Sequence, residues 1–151
     1  QLAYYMKGLE KLPSFRPTEM IFRADGISIH EEVMMFLIAN SNSVGGFERL
    51  APGARLDDGL FEVLVLKKCN LADFIWLVTL ALRGEHLNDP RVVHFQARHL
   101  EVTSPGHVQL NLDGEYGGTL PCTFQVLPSH LHIFADVHAS AEYDLVRSDR
   151  S

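Results

Sequence analysis

The 151-residue chain is long enough for one domain with a substantial hydrophobic core and too short for two complete ones. Its 46% hydrophobic and 21% charged residues are ordinary globular composition, which excludes a disordered or collagen-like chain. Thirteen Lys and Arg against nineteen Asp and Glu give a formal charge of -6 that repels a phosphate backbone, so no nucleic acid partner is expected. The two cysteines, Cys69 and Cys122, form no C-x-x-C pair; neither a disulfide framework nor a structural zinc site is indicated, and the cytoplasm is the expected compartment. The longest strongly apolar run, residues 74–82, is less than half the ~20 residues a membrane-spanning helix needs. With Gln1 rather than Met at its start and no signal-peptide pattern, the chain reads as a piece of a longer protein.

Leu2, Tyr5, Met6, Leu9 and Leu12 recur at helical spacing until Pro13 and Pro17, which predicts a short amphipathic helix over residues 2–12. From Thr18 the period becomes two. Met20, Phe22 and Ala24 alternate with Glu19, Ile21 and Arg23 up to Asp25-Gly26, a hairpin signal from which Ile27 and Ile29 start the return strand. The apolar run 33–39 reads as a strand buried on both faces. Residues 40–59 form a long loop rich in Asn, Ser, Gly and Pro, a length that points to function or mobility. Residues 60–66 read as a strand. A helix follows over 70–83, with Asn70 as N-cap, Asp73 in its first turn and Gly84 just past its end. Residues 92–102 and 108–112 are two further strands around Ser104-Pro105-Gly106, and 124–127 with 131–134 make a closing pair. The tail from Glu142 is polar. About seven short strands against one or two packed helices predict a mainly β (α+β), β-sandwich-like domain.

Two acidic turns stand out chemically. In LNLDGEYGG, Asp113 and Glu115 are separated by one residue on a bend, so their carboxylates can converge on a shared metal or one reacting hydroxyl. The same letters equally suit a plain hairpin turn; the excess of glycine, which opens the backbone to a ligand, favours a site. In Asp57-Asp58-Gly59, neighbouring side chains on an extended segment point to opposite sides, so one aspartate serves any given site, and Asp58 beside the glycine is the candidate. A lone carboxylate completed by carbonyls and waters suits magnesium; a solvated turn is the alternative. Gly45-Gly46 and Pro52-Gly53 lack the spacing of a phosphate loop. His130-x-His132, His94 and His99 read as structural or surface histidines because no third ligand lies nearby. The helix around Trp76 is apolar nearly all round: burial on two sides is the first expectation, docking to a lipid surface the second.

Taken together and in order, GGFERLAPGARLDDGLFEVLVLKK, ALRGEH and LNLDGEYGG resemble the C-terminal domain of the soluble bacterial diacylglycerol kinases, in the superfamily with sphingosine and ceramide kinases. The resemblance runs from about Tyr5 to Phe134. It implies a two-domain enzyme whose N-terminal domain carries a GGDGT loop for ATP. No GGDGT occurs in this chain, so the fragment is expected to be inactive alone and to need its own N-terminal kinase domain as partner. By the same resemblance, the carbonyls of Arg55 and Leu60 with the carboxylate of Asp58 would hold a structural Mg2+, and Asp113 or Glu115 would take the proton of the lipid hydroxyl. The implied reaction converts diacylglycerol and ATP to phosphatidate, at transient contact with a membrane surface. A kinase for a sphingoid base or another lipid shares these motifs; a stand-alone module binding lipid or protein without catalysis is the reading from another class. The oligomeric state, a homodimer included, is left open.

Overall fold

In the computed structural model, residues 16–43, 47 and 49–131 are described. The expected helix at 2–12, Gly45-Gly46, His132 with the rest of the last strand, and the tail lie outside them. Among the described residues eight strands run in chain order as β1 (Thr18–Ala24), β2 (Ile27–Ala39), β3 (Phe61–Lys67), β4 (Val92–Ala97), β5 (His99–Thr103), β6 (Gln109–Leu112), β7 (Glu115–Thr119) and β8 (Cys122–Gln125), with the helix α1 (Leu71–Arg83) and a 3-10 turn at His86–Asn88. Six strands make an antiparallel sheet in the order β4-β3-β2-β1-β5-β8, and β6-β7 form a separate two-stranded ribbon. The domain is mainly β and sandwich-like, as the sequence predicts.

The period-two pattern of β1 sets the inner face. Met20, Phe22 and Ala24 are buried, and from there the core extends through Val33, Phe61, Val63, Val65, Ala97, Leu100 and Val102 to Leu110 and Leu120 at the two-stranded ribbon. Phe22 meets Phe36 edge-on with centroids 5.5 Å apart, and Phe36 meets Phe124 edge-on at 6.5 Å. Phe36 lies on β2 and Phe124 on β8, three strands apart in the sheet. A flat sheet would hold those strands roughly 14 Å apart at about 4.8 Å per step, so the sheet curls around its own core. The opposite face carries a smaller apolar group, Ala39, Ala51 and Leu64 with Leu37, Ala54 and Leu87, which seats the 50–54 stretch of the long loop.

Local signals set the element boundaries. Asp25 and Gly26 both take positive φ, 41° and 90°, the two-residue turn that matches the twist of paired strands. Asn70 Oδ1 accepts the Asp73 amide at 2.9 Å, and Gly84 ends α1 at φ 73°. Three expectations are corrected. Residues 92–102 are two strands, because the Arg98 amide turns away to donate to Asp25 Oδ2 at 2.7 Å and its carbonyl accepts from Val126. The run 33–39 belongs to the single strand β2 and is not buried on both faces, since Met35 is exposed after a register irregularity between Val33 and Met35. The β8 strand pairs with β5, His99 opposite Gln125. Finally, α1 buries only Leu77 and Ala81 fully, and leaves Leu71, Ile75, Trp76 and Leu82 exposed. Truncating Phe22 to Ala is expected to cost about 3–5 kcal/mol and removing the cap with Asn70→Ala about 1 kcal/mol, both read from urea unfolding.

Candidate functional site

Asp113 and Glu115 sit on the ribbon's hairpin. Asp113-Gly114 is a two-residue turn with φ of 50° and 103°, closed by Leu112 facing Glu115 and by the Gly114 amide donating to Asn111 Oδ1 at 2.9 Å. Glu115 therefore begins β7, a strand that the sequence leaves unassigned. Both carboxylates are exposed, Asp113 at the tip and Glu115 one step along the return strand.

The glycines after them have a packing cause. A Cβ on Gly117 would lie 2.3 Å from Leu112 Cγ, so the Leu112 side chain occupies the space a larger residue would need. Gln109 faces Thr119 while Asn111 faces Tyr116, which leaves β7 one residue longer; Gly118, at φ 95°, absorbs that bulge. Close packing thus accounts for Gly117 and backbone geometry for Gly118, while the space beside Gly114 and Gly118 is open.

The second acidic turn lies at the other end of the long loop, leading into β3. Asp57 and Arg55 pair with each other in solvent, Arg55 Nε to Asp57 Oδ1 at 3.1 Å, and the Arg55 hydrogen bond holds the Asp57 carboxyl below the usual carboxylate range. Asp58 is half-buried and points elsewhere: its Oδ1 accepts the Leu60 amide at 2.9 Å across Gly59 at φ 71°. The two aspartates thus have different partners, and the bend at 56–59, not an extended strand, parts them. Among the described residues no group of three or more His, Cys, Asp and Glu assembles, so a cation here would rest on one carboxylate, main-chain carbonyls and water. That all-oxygen donor set fits magnesium in kind, with Asp58 and the carbonyls of Arg55 and Leu60 as the residues to hold it. Among the described residues no hydrogen bond or ion pair joins this turn to the Asp113 hairpin.

Two buried polar side chains received no role from the sequence. Glu62 on β3 is 2% exposed, with Oε2 at 2.5 Å from His94 Nε2 and Oε1 accepting from Gln96 Nε2 at 2.7 Å. His86 is 4% exposed; its Nε2 donates to the Leu50 carbonyl at 2.9 Å while Nδ1 has no partner among the described residues. An acid inside the apolar run FEVLVLK was the available signal for Glu62.

Residues 1–135 match the family described as "YegS C-terminal NAD kinase beta sandwich-like domain". The chain belongs to that family. It is 49% identical over 144 residues to the diacylglycerol kinase of Bacillus subtilis (strain 168), covering 95% of this chain and 48% of that protein. With the diacylglycerol kinase of Staphylococcus carnosus (strain TM300) it shares 42% identity over 132 residues, covering 87% and 43%. The chain thus spans just under half the length of these relatives. Its fold is similar to the crystal structure of a diacylglycerol kinase from Bacillus anthracis str. Sterne, with a TM-score of 0.60 at 17% identity over 80% of this chain and 43% of that one. A second crystal structure from the same organism gives a TM-score of 0.68 at 21% identity over 81% and 43%.

Two outcomes are expected. Gly117→Ala should destabilise by about 1–3 kcal/mol through overpacking, and Leu112→Ala in the same chain should recover most of it, a coupling that a double-mutant cycle in urea measures. Burial pushes the His86 pKa below its ordinary 6.5, so the neutral ring stabilises the fold fully above that pH and the contribution is lost as pH falls through the folded value. Thermal midpoints recorded from pH 7.5 to 5 should drop less in His86→Gln than in the natural sequence.

Proposed function

We propose that this chain is the hydroxyl-activating C-terminal domain of an ATP-dependent lipid kinase that phosphorylates diacylglycerol to phosphatidate. The observation that carries the reading is the LNLDGEYGG hairpin: two exposed carboxylates on a tightly specified turn, in a chain 42–49% identical to proteins named diacylglycerol kinase. Phosphoryl transfer asks mainly for positioning and charge neutralisation, with a carboxylate to receive or orient the proton of the attacking hydroxyl. Asp113 or Glu115 takes that proton as the lipid oxygen bonds to the γ-phosphorus and ADP departs. Nucleotide contacts come from a domain outside this chain, so the chain alone is inactive.

Asp58 with the carbonyls of Arg55 and Leu60 holds Mg2+, which when bound supplies fixed positive charge and ordered water. Gly59 keeps the turn tight enough for the Asp58 carboxylate to reach back to the Leu60 amide. Among the described residues no helix is long and apolar enough to cross a membrane, and the enzyme works at the membrane surface from the cytoplasmic side.

A second reading, a lipid- or protein-binding module without catalysis, is favoured by the exposed Leu71, Ile75, Trp76 and Leu82 of α1. The test is to express the complete reading frame, including whatever precedes residue 1, and assay transfer of labelled phosphate to diacylglycerol and to a sphingoid base in mixed micelles. Asp113→Asn or Glu115→Gln should lower kcat by roughly 10²–10⁴, as loss of an acid–base catalyst does. Asp58→Ala should raise the magnesium requirement. Wild-type turnover in all three variants would overturn the roles given to Asp113, Glu115 and Asp58; no transfer to either lipid by the complete protein would sink the kinase assignment and leave the binding module; preference for the sphingoid base would correct the substrate.

A further inference from the structure

The aspartate loop is held by more than its own turn. Its N-terminal approach, residues 50–54, lies on the reverse face of the sheet, and Ala51 there is fully buried against Ala39 and Leu64. The Leu50 and Ala51 amides both donate to the Asn42 carbonyl, at 3.1 and 3.3 Å, and the Ala54 amide returns to the Ala51 carbonyl at 3.0 Å. The outward lone pairs of Leu50 are met by His86 Nε2. Beneath Gly53 sits the Glu62 carboxylate, its Oε1 3.7 Å from where a Cβ on Gly53 would stand.

That carboxylate is an expensive thing to bury, and two strand neighbours fix it. Gln96 faces Glu62 across β3 and β4 in the register, and His94 faces Leu64 one step beyond on the same side. Their hydrogen bonds occupy one oxygen each, so Glu62 presents a fixed polar surface to the loop rather than a mobile side chain. His86 arrives from a different element, the 3-10 turn after α1, and pins the same stretch of loop at the Leu50 carbonyl. Only four residues separate Ala54 from Gly59, the turn that aims Asp58.

We infer that Glu62 and His86 are positioning residues for the Asp58 loop: held at two points, Gly53 and the Leu50 carbonyl, residues 50–54 deliver the 55–60 turn to the start of β3 in one conformation. Glu62 acts through its contact with the loop and its ties to His94 and Gln96, and His86 acts through the Leu50 carbonyl. Neither touches substrate. The inference rests on the magnesium reading of Asp58 for one of its two measurements only.

The first measurement is amide hydrogen exchange on the 151-residue chain without metal, following the Leu60 amide that Asp58 accepts. In His86→Ala this amide should exchange roughly tenfold faster while amides of β1 and β5 keep their rates, and His86→Gln, which restores a donor to the Leu50 carbonyl, should recover most of the protection. Glu62→Ala should behave like His86→Ala, with Glu62→Gln intermediate; if Glu62→Ala does not fold, the Gln variant decides. The second is titration calorimetry with MgCl2 on the same proteins, with Arg23→Ala as a remote control: affinity should fall about fivefold in His86→Ala, stay unchanged in Arg23→Ala and return in His86→Gln. Unchanged exchange at Leu60, or equal acceleration throughout the chain, would overturn the inference. If the natural sequence shows no saturable magnesium binding while the exchange results hold, the tether stands and the magnesium reading of the loop fails.

Discussion

The curl of the six-stranded sheet is the constraint on which the rest of this domain depends. It follows from aromatic packing: Phe22, Phe36 and Phe124 meet edge-on although their strands are spread across the sheet. Such contacts contribute about 0.5–1.5 kcal/mol each beyond burial, and their geometry closes the sheet around one core. The inner face then admits the β6–β7 ribbon through Leu110 and Leu120, which brings the Asp113 hairpin onto the domain. The outer face is left to the 50–54 stretch of the long loop, which leads on to the second acidic turn.

Much of this was legible because it is local. The Asp25-Gly26 turn, the Asn70 and Gly84 caps, and the alternation of Met20, Phe22 and Ala24 are properties of a few adjacent residues, and all hold. What escaped was set by partners distant in sequence. Nothing near Arg98 marks a break in a continuous β pattern; the break exists because the Asp25 carboxylate, 73 residues earlier, captures the Arg98 amide. Likewise β8 is decided by which strand edge remains open after β1 has paired with β2 and β5, and no property of residues 122–125 reveals that.

The site divides along the same line. The positions of both acidic turns were readable from Asp-Gly chemistry, and so was the choice between Asp57 and Asp58, although a bend at 56–59 rather than a pleated strand sets their different partners. The reason for Gly117-Gly118 was not, since it needs the knowledge that Leu112 lies across the hairpin. Nor was the depth of His86: a histidine two residues past a helix cap reads as surface until the loop that covers it is placed.

The packing of Leu112 over Gly117 has a consequence for the hairpin tip. Leu112 and Glu115 are directly opposed, so they rise from one face of the ribbon, and Gly117, next on that face, adds no side chain of its own. The space beside Glu115 is therefore filled by leucine methyl groups that remain half open to solvent. On this face a carboxylate oxygen and a patch of hydrocarbon stand shoulder to shoulder, an amphiphile in miniature written into three residues of backbone.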